Sequence, residues 1–201
     1  MQRAPAQRTS APGARGGPVQ PRHPALVPVQ RYYTEDCEDF DANQRRRGVA
    51  IAIELATRAV DVLSTYITAK SAGTPDPVTA KLLKDCFSSD SLWAAIRARS
   101  GFRKIKSYLE GDDFTIECED DCDDSNAYVY AVWTDVHMCM NVIKNYSERR
   151  FGEILLHEVS HVADGTDDEE YFYPPRGAKT TLSLSDALDN ADCYEAFAAQ
   201  V

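Results

Sequence analysis

The sequence has no apolar run long enough to span a membrane, and it has few basic residues, with 22 Lys and Arg against 32 Asp and Glu. A transmembrane helix needs about 20 consecutive apolar residues, so we expect no membrane span. The formal charge is −10, and because residues 1–31 contain five arginines and no acid, the remainder carries −15. Contacts to nucleic-acid phosphates require clustered Lys and Arg. We therefore expect no nucleic-acid partner.

Residues 1–31 lack acids and have almost no large apolar side chains, but they contain six of the ten prolines. Such a segment cannot bury enough surface to fold by itself, so we predict a flexible arm. It also lacks the apolar core of a secretory signal peptide. A leader without a specific role and a delivery or cleavable pro-segment both fit this composition. Residues 32–201 are then expected to form one domain with its own core.

Apolar residues at helical spacing predict a long first helix that ends near Lys70 and has Asp39 or Asp41 as its N-cap. Shorter helices are predicted near 78–87 and 90–109. The predicted core positions of these helices are apolar residues, which are three or four apart in the first helix. They are Val49, Ile53, Ala56, Val60, Leu63, Ile67, Leu82, Leu83, Leu92, Trp93, Ile96, Ile105 and Leu109.

Three later segments, 114–118, 127–132 and 136–142, have the composition of strands and predict a small antiparallel sheet. The stretch 110–124 overlaps the first of them and holds nine acids and no base. It lacks the ligand spacing and the glycine of an EF-hand loop. We therefore interpret the stretch as a solvated turn rather than a calcium site.

His157, Glu158 and His161 form the pattern H-E-x-x-H within an otherwise apolar segment. Two histidines four residues apart lie one turn apart on one face of a helix, so both imidazoles can reach one metal ion. Glu158 points toward the adjacent edge of that face, where it can take a proton from a water activated by the metal. The alternative is a buried helix that contains the pattern by chance.

A catalytic zinc needs a third protein ligand. The chain has four histidines and none follows His161, so a glutamate such as Glu195 or an aspartate of the next loop remains. That loop contains Gly165-Thr-Asp-Asp-Glu-Glu-Tyr171, which resembles the G-T-x-D-x-x-Y signature of the aspzincins, the family of deuterolysin and peptidyl-Lys metalloendopeptidase. The resemblance implies that Asp168 is the third zinc ligand and that Tyr171 stabilises the oxyanion formed from the substrate carbonyl.

A second match extends the resemblance to roughly residues 32–201. Residues 190–197 are similar to the family's N-A-D-x-x-E-x-F helix, and the resemblance implies that Asp192 and Glu195 bind the amine of a lysine after the scissile bond. The alternative for these two is a solvated acidic helix. The implied fold is α+β and zincin-like, mostly helical, with a small antiparallel sheet beside the HExxH helix. Phe172 replaces the family's glycine after the tyrosine, which is a departure from the pattern.

The six cysteines permit disulfides, and Cys118-x-x-x-Cys122 is also a candidate second zinc site. The family resemblance implies the pairs Cys37–Cys118 and Cys122–Cys139, with Cys37 opening the first helix. Disulfides imply an oxidising compartment, so we expect an extracellular or secreted protein. The two remaining cysteines either pair or stay as thiols; they are Cys86 and Cys193.

The resemblance predicts a monomeric zinc endopeptidase with one zinc per chain, acting on proteins or peptides on the amino side of Lys or another basic residue, with Arg accepted more weakly. Two alternatives belong to other classes. A pseudo-peptidase that only binds zinc and a partner is expected to lose Glu158 or Tyr171, and both are present. A secreted toxin or effector, whose proteolysis is directed at another cell, fits the Arg- and Pro-rich arm. It would be countered by an inhibitor or immunity protein.

Overall fold

A computed structural model describes residues 33–35, 37, 42–111, 114–120, 122, 127–129, 135–172, 175, 177 and 179–201. The predicted arm and the proposed N-caps Asp39 and Asp41 lie outside the described residues. No helix in the described ranges is both long and apolar enough to cross a bilayer. The elements are β1 (Tyr33–Glu35), α1 (Ala42–Ser71), α2 (Pro77–Phe87), α3 (Leu92–Leu109), β2 (Thr115–Glu119), β3 (Ala127–Val129), β4 (Asp135–Cys139), α4 (Met140–Ile143), α5 (Glu148–Asp164), α6 (Leu184–Leu188) and α7 (Ala191–Ala198).

Helices α1 and α5 approach closely because each presents a glycine to the other. A Cβ atom added to Gly48 would lie 1.7 Å from the ring of Phe151, and one added to Gly152 would lie 2.9 Å from the carbonyl oxygen of Gly48. No side chain larger than hydrogen fits at either position without moving a helix. The HExxH segment is therefore carried by a helix that packs directly on the longest helix of the fold.

The first half of the buried face of α3 is built from small residues, and the predicted core is wrong in that half, although Ile105 and Leu109 are buried as predicted. Leu92, Trp93 and Ile96 are 37%, 56% and 40% exposed. The buried positions form the opposite side of the helix, where alanines allow close packing; they include Ala95, Ala98, Phe102, Ile105 and Leu109. The apolar pattern of α3 runs around the helix, so periodicity alone did not identify the inward face.

The sheet has the strand order β1-β2-β4-β3 and is mixed. β1 pairs parallel with β2, β2 pairs parallel with β4, and only β3 pairs antiparallel with β4. The prediction of an antiparallel sheet is thus wrong for two of three pairs. Three helices separate β1 from β2, and parallel neighbours require such a long crossover. The third predicted strand is also shorter than expected, since β4 ends at Cys139 and α4 follows at once.

Both disulfides implied by the family resemblance are present, Cys37–Cys118 and Cys122–Cys139. Their formation removes the alternative zinc site at Cys118 and Cys122, because neither sulfur is a thiolate. Cys37 lies between β1 and α1, which begins at Ala42, so it precedes the long helix instead of opening it. The two bonds connect the N-terminal segment to β2 and the segment after β2 to β4.

Cys86 in α2 and Cys193 in α7 are free, fully buried thiols. Burial raises the pKa of Cys193 to about 12 and also raises the pKa of Cys86. Because the thiolate is the reactive form of cysteine, these two side chains behave as small apolar core residues.

Candidate metal centre

Helix α5 carries the two histidines and has a defined beginning and end. Ser147 caps it by accepting a hydrogen bond from the Arg150 amide at 3.1 Å. Gly165 ends it with φ 73° and donates its amide to the His161 carbonyl. A residue with a side chain rarely adopts this left-handed conformation. The chain therefore turns sharply after the second histidine, and the following loop comes back along the helix.

His157, His161 and Asp168 bring three donor atoms to one point. The two histidine Nε2 atoms are 3.3 Å apart, and Asp168 Oδ1 lies 3.2 Å from Nε2 of His157 and 3.4 Å from Nε2 of His161. Zinc binds imidazole nitrogen and carboxylate oxygen at ~2.0–2.1 Å, so two corners of a tetrahedral zinc site lie ~3.3 Å apart. The three atoms thus fit one face of such a tetrahedron, which leaves the fourth corner open.

His161 is held in the tautomer that a zinc ligand needs. Its Nδ1 lies 2.7 Å from the carbonyl oxygen of Thr166. A carbonyl only accepts, so Nδ1 carries a proton, which leaves Nε2 as the nitrogen available to a metal ion. The Thr166 hydroxyl is in turn 2.7 Å from the hydroxyl of Ser160, which donates or accepts within this fully buried pair. Thr166 therefore orients the histidine through its main chain.

His157 faces a buried carboxylate on its other side. Its Nδ1 is 3.4 Å from Oδ2 of Asp192 and 3.7 Å from Oε2 of Glu195. Nδ1 of His157 and Oδ2 of Asp192 have no hydrogen-bond partner among the described residues, so each is a buried polar atom that faces the other. Two buried polar atoms at this separation complement each other, and metal-bound histidines commonly donate to a carboxylate in this way. Asp192 thus lies where it can position His157.

The loop that carries Asp168 is fixed by the start of α7. Asn190 accepts hydrogen bonds at Oδ1 from the amides of Glu169 and Glu170, at 3.0 and 3.2 Å, and donates from Nδ2 to the Glu170 carbonyl at 2.9 Å. The amide of Phe172 donates to Oδ1 of Asp192 at 2.9 Å. The side chain of Asn190 is completely buried. The N-A-D pattern of the sequence therefore clamps the ligand loop, a role that sequence reasoning did not assign to Asn190.

His157 and Asp168 shift each other's pKa so that each favours its charged form. Burial alone would lower the pKa of His157, but the hydrogen bond to Asp168 and the surrounding carboxylates raise it to about 9. The same contacts with the two histidines hold the pKa of Asp168 far below its ordinary value. The arrangement of these groups therefore favours positive charge at this point, which a metal ion would supply in place of the shared protons.

Glu158 is 6% exposed and lies between the two histidines in sequence. Burial raises the pKa of its carboxyl group, and the charges of the neighbouring histidines lower it by less. A raised pKa makes the carboxylate a better proton acceptor than a free glutamate.

Tyr171 is 73% exposed, so its ring is not part of the core. Partial burial and the charge and hydrogen bond of Asp168 raise the pKa of Tyr171. The hydroxyl group consequently stays protonated at neutral pH and remains a hydrogen-bond donor beside Asp168.

Glu195 lies behind His157 and is paired with an arginine that the sequence did not reveal. Glu195 is 3% exposed, and Arg150 Nη1 forms an ion pair with its Oε1. Nη1 of Arg150 is also 3.6 Å from Oε2 of Glu153. Burial lowers the pKa of Arg150, but the charge of Glu195 outweighs this and raises it. Asp192 and Glu195 are thus close together, as one face of a helix requires, but inside the protein and with a cation already present.

Comparisons with known proteins identify the family and the fold. A sequence profile described as lysine-specific metallo-endopeptidase, the aspzincins, matches residues 73–199, which is more than half of the chain. A solved structure of a zinc peptidase from Grifola frondosa is similar in fold, with a TM-score of 0.51 and 21% identity over 75% of this chain and 93% of that one. A comparison with curated protein sequences finds no match.

Proposed function

The chain belongs to the aspzincin family and is a zinc metalloendopeptidase, and from this premise we propose roles for its residues. His157, His161 and Asp168 hold the zinc, Glu158 is the general base and Tyr171 stabilises the oxyanion. The observation that carries the ligand assignment is the triangle of donor atoms with sides of 3.2, 3.3 and 3.4 Å. Its substrates are proteins or peptides, in keeping with the family.

Bound zinc supplies Lewis acidity, which polarises a peptide carbonyl and acidifies water. The protein residues supply the proton transfers. Glu158, with its raised pKa, accepts a proton from the attacking water and passes it to the leaving amine. Tyr171 remains protonated beside Asp168 and donates its hydroxyl hydrogen to the oxygen that gains negative charge.

The buried surroundings of the ligands support catalysis by fixing their positions. Thr166 holds the proton of His161 on Nδ1, and Asp192 faces Nδ1 of His157. Both contacts direct the Nε2 lone pairs toward the metal and make the imidazoles more basic. We infer that Asp192 acts mainly as a positioning residue for His157.

The proposed specificity is cleavage on the amino side of Lys, with Glu195 as the main negative charge of the pocket. In the structure Arg150 forms an ion pair with the Glu195 carboxylate. A lysine side chain that enters the pocket must therefore replace Arg150 as the partner of Glu195. Glu153 offers Arg150 an alternative partner 3.6 Å away, which lowers the cost of that exchange. Asp192 adds a second negative charge beside the pocket while it contacts His157.

The experiment is mass spectrometry of peptides released from an unfolded protein, with and without a chelator. We expect release to stop when the metal is removed and the products to begin with Lys above background. Products with no preference at their first residue would refute the pocket but leave the peptidase intact. Absence of any metal-dependent release would refute the proposed function itself.

Arg150→Gln sharpens the specificity test, because it leaves Glu195 without its internal cation. We expect a larger share of products that begin with Lys. The matched control is Arg149→Gln, since Arg149 donates to Glu153 and to the Ala199 carbonyl but makes no ion pair with Glu195. An equal change in both variants would indicate a general effect on α5 rather than competition for the pocket.

A further inference from the structure

A second group of metal-binding side chains lies on the sheet, outside the site on α5. Nδ1 of His137 is 2.8 Å from Oε1 of Glu119 and 3.4 Å from Oε2 of Glu117. The His137 side chain is 8% exposed, whereas the two glutamates are 26% and 31% exposed. The donor atoms all lie within 4.8 Å of one another. The cluster is thus anchored by a buried imidazole and open to solvent on its acidic side.

The strand register brings these residues together. Glu117 and Glu119 are two apart on β2, so their side chains point to the same face, and Glu117 is the direct neighbour of His137 on β4. Cys118 lies between the two glutamates and is bonded to Cys37, which ties β2 to the N-terminal segment. The positions of the donors are therefore determined by main-chain pairing and a covalent bond.

Tyr128 on the edge strand β3 completes the arrangement. It is the direct neighbour of His137 across the β3–β4 pair, and its ring stacks on the imidazole at 4.6 Å with an angle of 2° between the planes. Its hydroxyl donates to Oε2 of Glu119 at 2.6 Å. Glu119 therefore turns its other oxygen, Oε1, toward His137. Such support of ligands by outer hydrogen bonds is typical of metal sites.

Two carboxylates face a single nitrogen in this cluster. Nδ1 of His137 holds at most one proton, which can form one short hydrogen bond, and Glu119 is the closer acceptor. Glu117 brings a second negative charge to the same atom at 3.4 Å. Adjacent carboxylates repel each other, and a divalent cation neutralises both of them where one proton cannot. The separation of 3.4 Å between Nδ1 of His137 and Oε2 of Glu117 matches the ~3.3 Å edge of a tetrahedral zinc site, and the 2.8 Å separation from Glu119 is that of a hydrogen bond whose proton the metal ion would replace.

We propose that His137, Glu117 and Glu119 form a second metal site that binds a divalent transition-metal ion of the zinc class. The imidazole nitrogen favours zinc and its neighbours over calcium and magnesium, which prefer oxygen ligands. The ion joins β2 to β4 directly and, through Glu119 and Tyr128, holds the edge strand β3. Its role is to stabilise the sheet, and its ligands take no part in peptide hydrolysis.

The test uses the full chain with Asp168→Ala and His161→Ala, which removes two of the three proposed catalytic ligands. After incubation with zinc chloride and gel filtration, we expect about one zinc per chain and a melting temperature above that of the chelated protein. Adding His137→Gln should abolish both the retained zinc and the temperature shift. Zinc-free protein in the first variant, or zinc that His137→Gln leaves in place, would overturn the proposal.

Two further variants guard against simple misfolding of a substituted buried histidine. Glu117→Gln changes the most exposed ligand, keeps its size and removes its charge, so it should fold and weaken zinc retention. Asp135→Asn is the matched control, because Asp135 lies on β4 two residues before His137 but outside the cluster. It should retain zinc. Loss of zinc in both variants would point to non-specific attraction by acidic side chains and would contradict the proposal. A temperature shift as large with calcium chloride would contradict the assigned metal class.

Discussion

The α5 centre and the sheet cluster both combine histidine with carboxylates, but they are assembled in different ways. The two histidines of the α5 centre come from one helix and are one turn apart. The sheet cluster takes one histidine from β4 and two glutamates from β2, in a parallel strand pair. A helix fixes neighbours by local geometry, whereas a sheet needs the tertiary pairing of distant segments. The histidine pair of α5 can therefore be predicted from the sequence, whereas the sheet cluster cannot.

The two clusters also differ in what surrounds them. Glu158, with its raised pKa, and the exposed Tyr171 accompany the α5 centre, so the proposed proton acceptor and the proposed hydrogen-bond donor lie beside the proposed metal ligands. The sheet cluster has a stacked aromatic ring and a disulfide beside it instead. This difference predicts catalysis at the α5 centre and a structural role at the sheet cluster.

The largest expected contrast comes from removing one ligand at each site. Asp168→Ala should abolish peptide hydrolysis and the zinc bound at the α5 centre, because two histidines alone hold the metal weakly. Glu119→Gln, the counterpart in the sheet cluster, should leave kcat within about twofold of the wild-type value, since Glu119 belongs to a different group of side chains from the proposed catalytic ligands. Steady-state kinetics and zinc content of both variants measure the contrast. If Asp168→Ala kept full zinc and full rate while Glu195→Ala lost the metal, the third ligand would be a glutamate.

Glu158→Gln is expected to have the next largest effect. The amide keeps the size of the side chain but cannot accept a proton from water. Turnover should fall by ~10²–10⁴-fold, the usual contribution of a general base, while zinc content stays at the wild-type level. Single-turnover rates and metal analysis of the same preparation provide the test. A variant with normal turnover would move the role of base to another group.

Asp192→Asn tests the positioning of His157. Loss of a carboxylate that orients a metal-bound histidine typically weakens metal affinity by ~10–100-fold, so we expect a shift of this size in a zinc competition titration. Glu195→Gln is the control, because its carboxylate lies farther from Nδ1 of His157, at 3.7 against 3.4 Å, and is engaged by Arg150. Equal losses of affinity in the two variants would show that general negative charge, rather than the Asp192 contact, supports the ligand.

Tyr171→Phe should have the smallest effect. The hydroxyl makes one hydrogen bond to the developing oxyanion, and because the tyrosine is 73% exposed and water competes for the same acceptor, its loss should cost near the lower end for a charged acceptor, about 1.5 kcal/mol, which corresponds to a ~10-fold loss of rate. The loss should appear in kcat rather than in KM, because the oxyanion exists only in the transition state. Zinc content should not change. An unaltered kcat would show that this side chain serves only to cover the loop.

Much of the fold was predictable where contacts are local. The predicted helices near 78–87 and 90–109 are α2 and α3, and the first helix ends at Ser71, one residue past the predicted Lys70. The exposed Trp93 and the mixed sheet were not predictable in the same way. Which side of a helix faces inward, and which direction a strand runs beside its neighbour, depends on segments that are distant in the chain.

The candidate site shows the same division between motif and environment. The patterns around His157 and Asp168 predicted the residues that meet at the triangle of donor atoms. Neither periodicity nor motif spacing could predict two features of the site. They are the clamp formed by Asn190 and the ion pair between Arg150 and Glu195. Arg150 is an ordinary basic residue in the first turn of α5, and only the packing of α7 against α5 gives it a buried partner.

The sequence by itself determined that one helix presents two imidazoles to a single point, because four residues make about one turn. It also determined the composition of the loop that follows. The tertiary structure decided how that loop returns to the helix, which carboxylate faces His157, and that β2 and β4 run side by side to gather Glu117, Glu119 and His137. Helical neighbours are set by the geometry of a single chain segment, whereas burial and strand pairing depend on the whole chain folding at once.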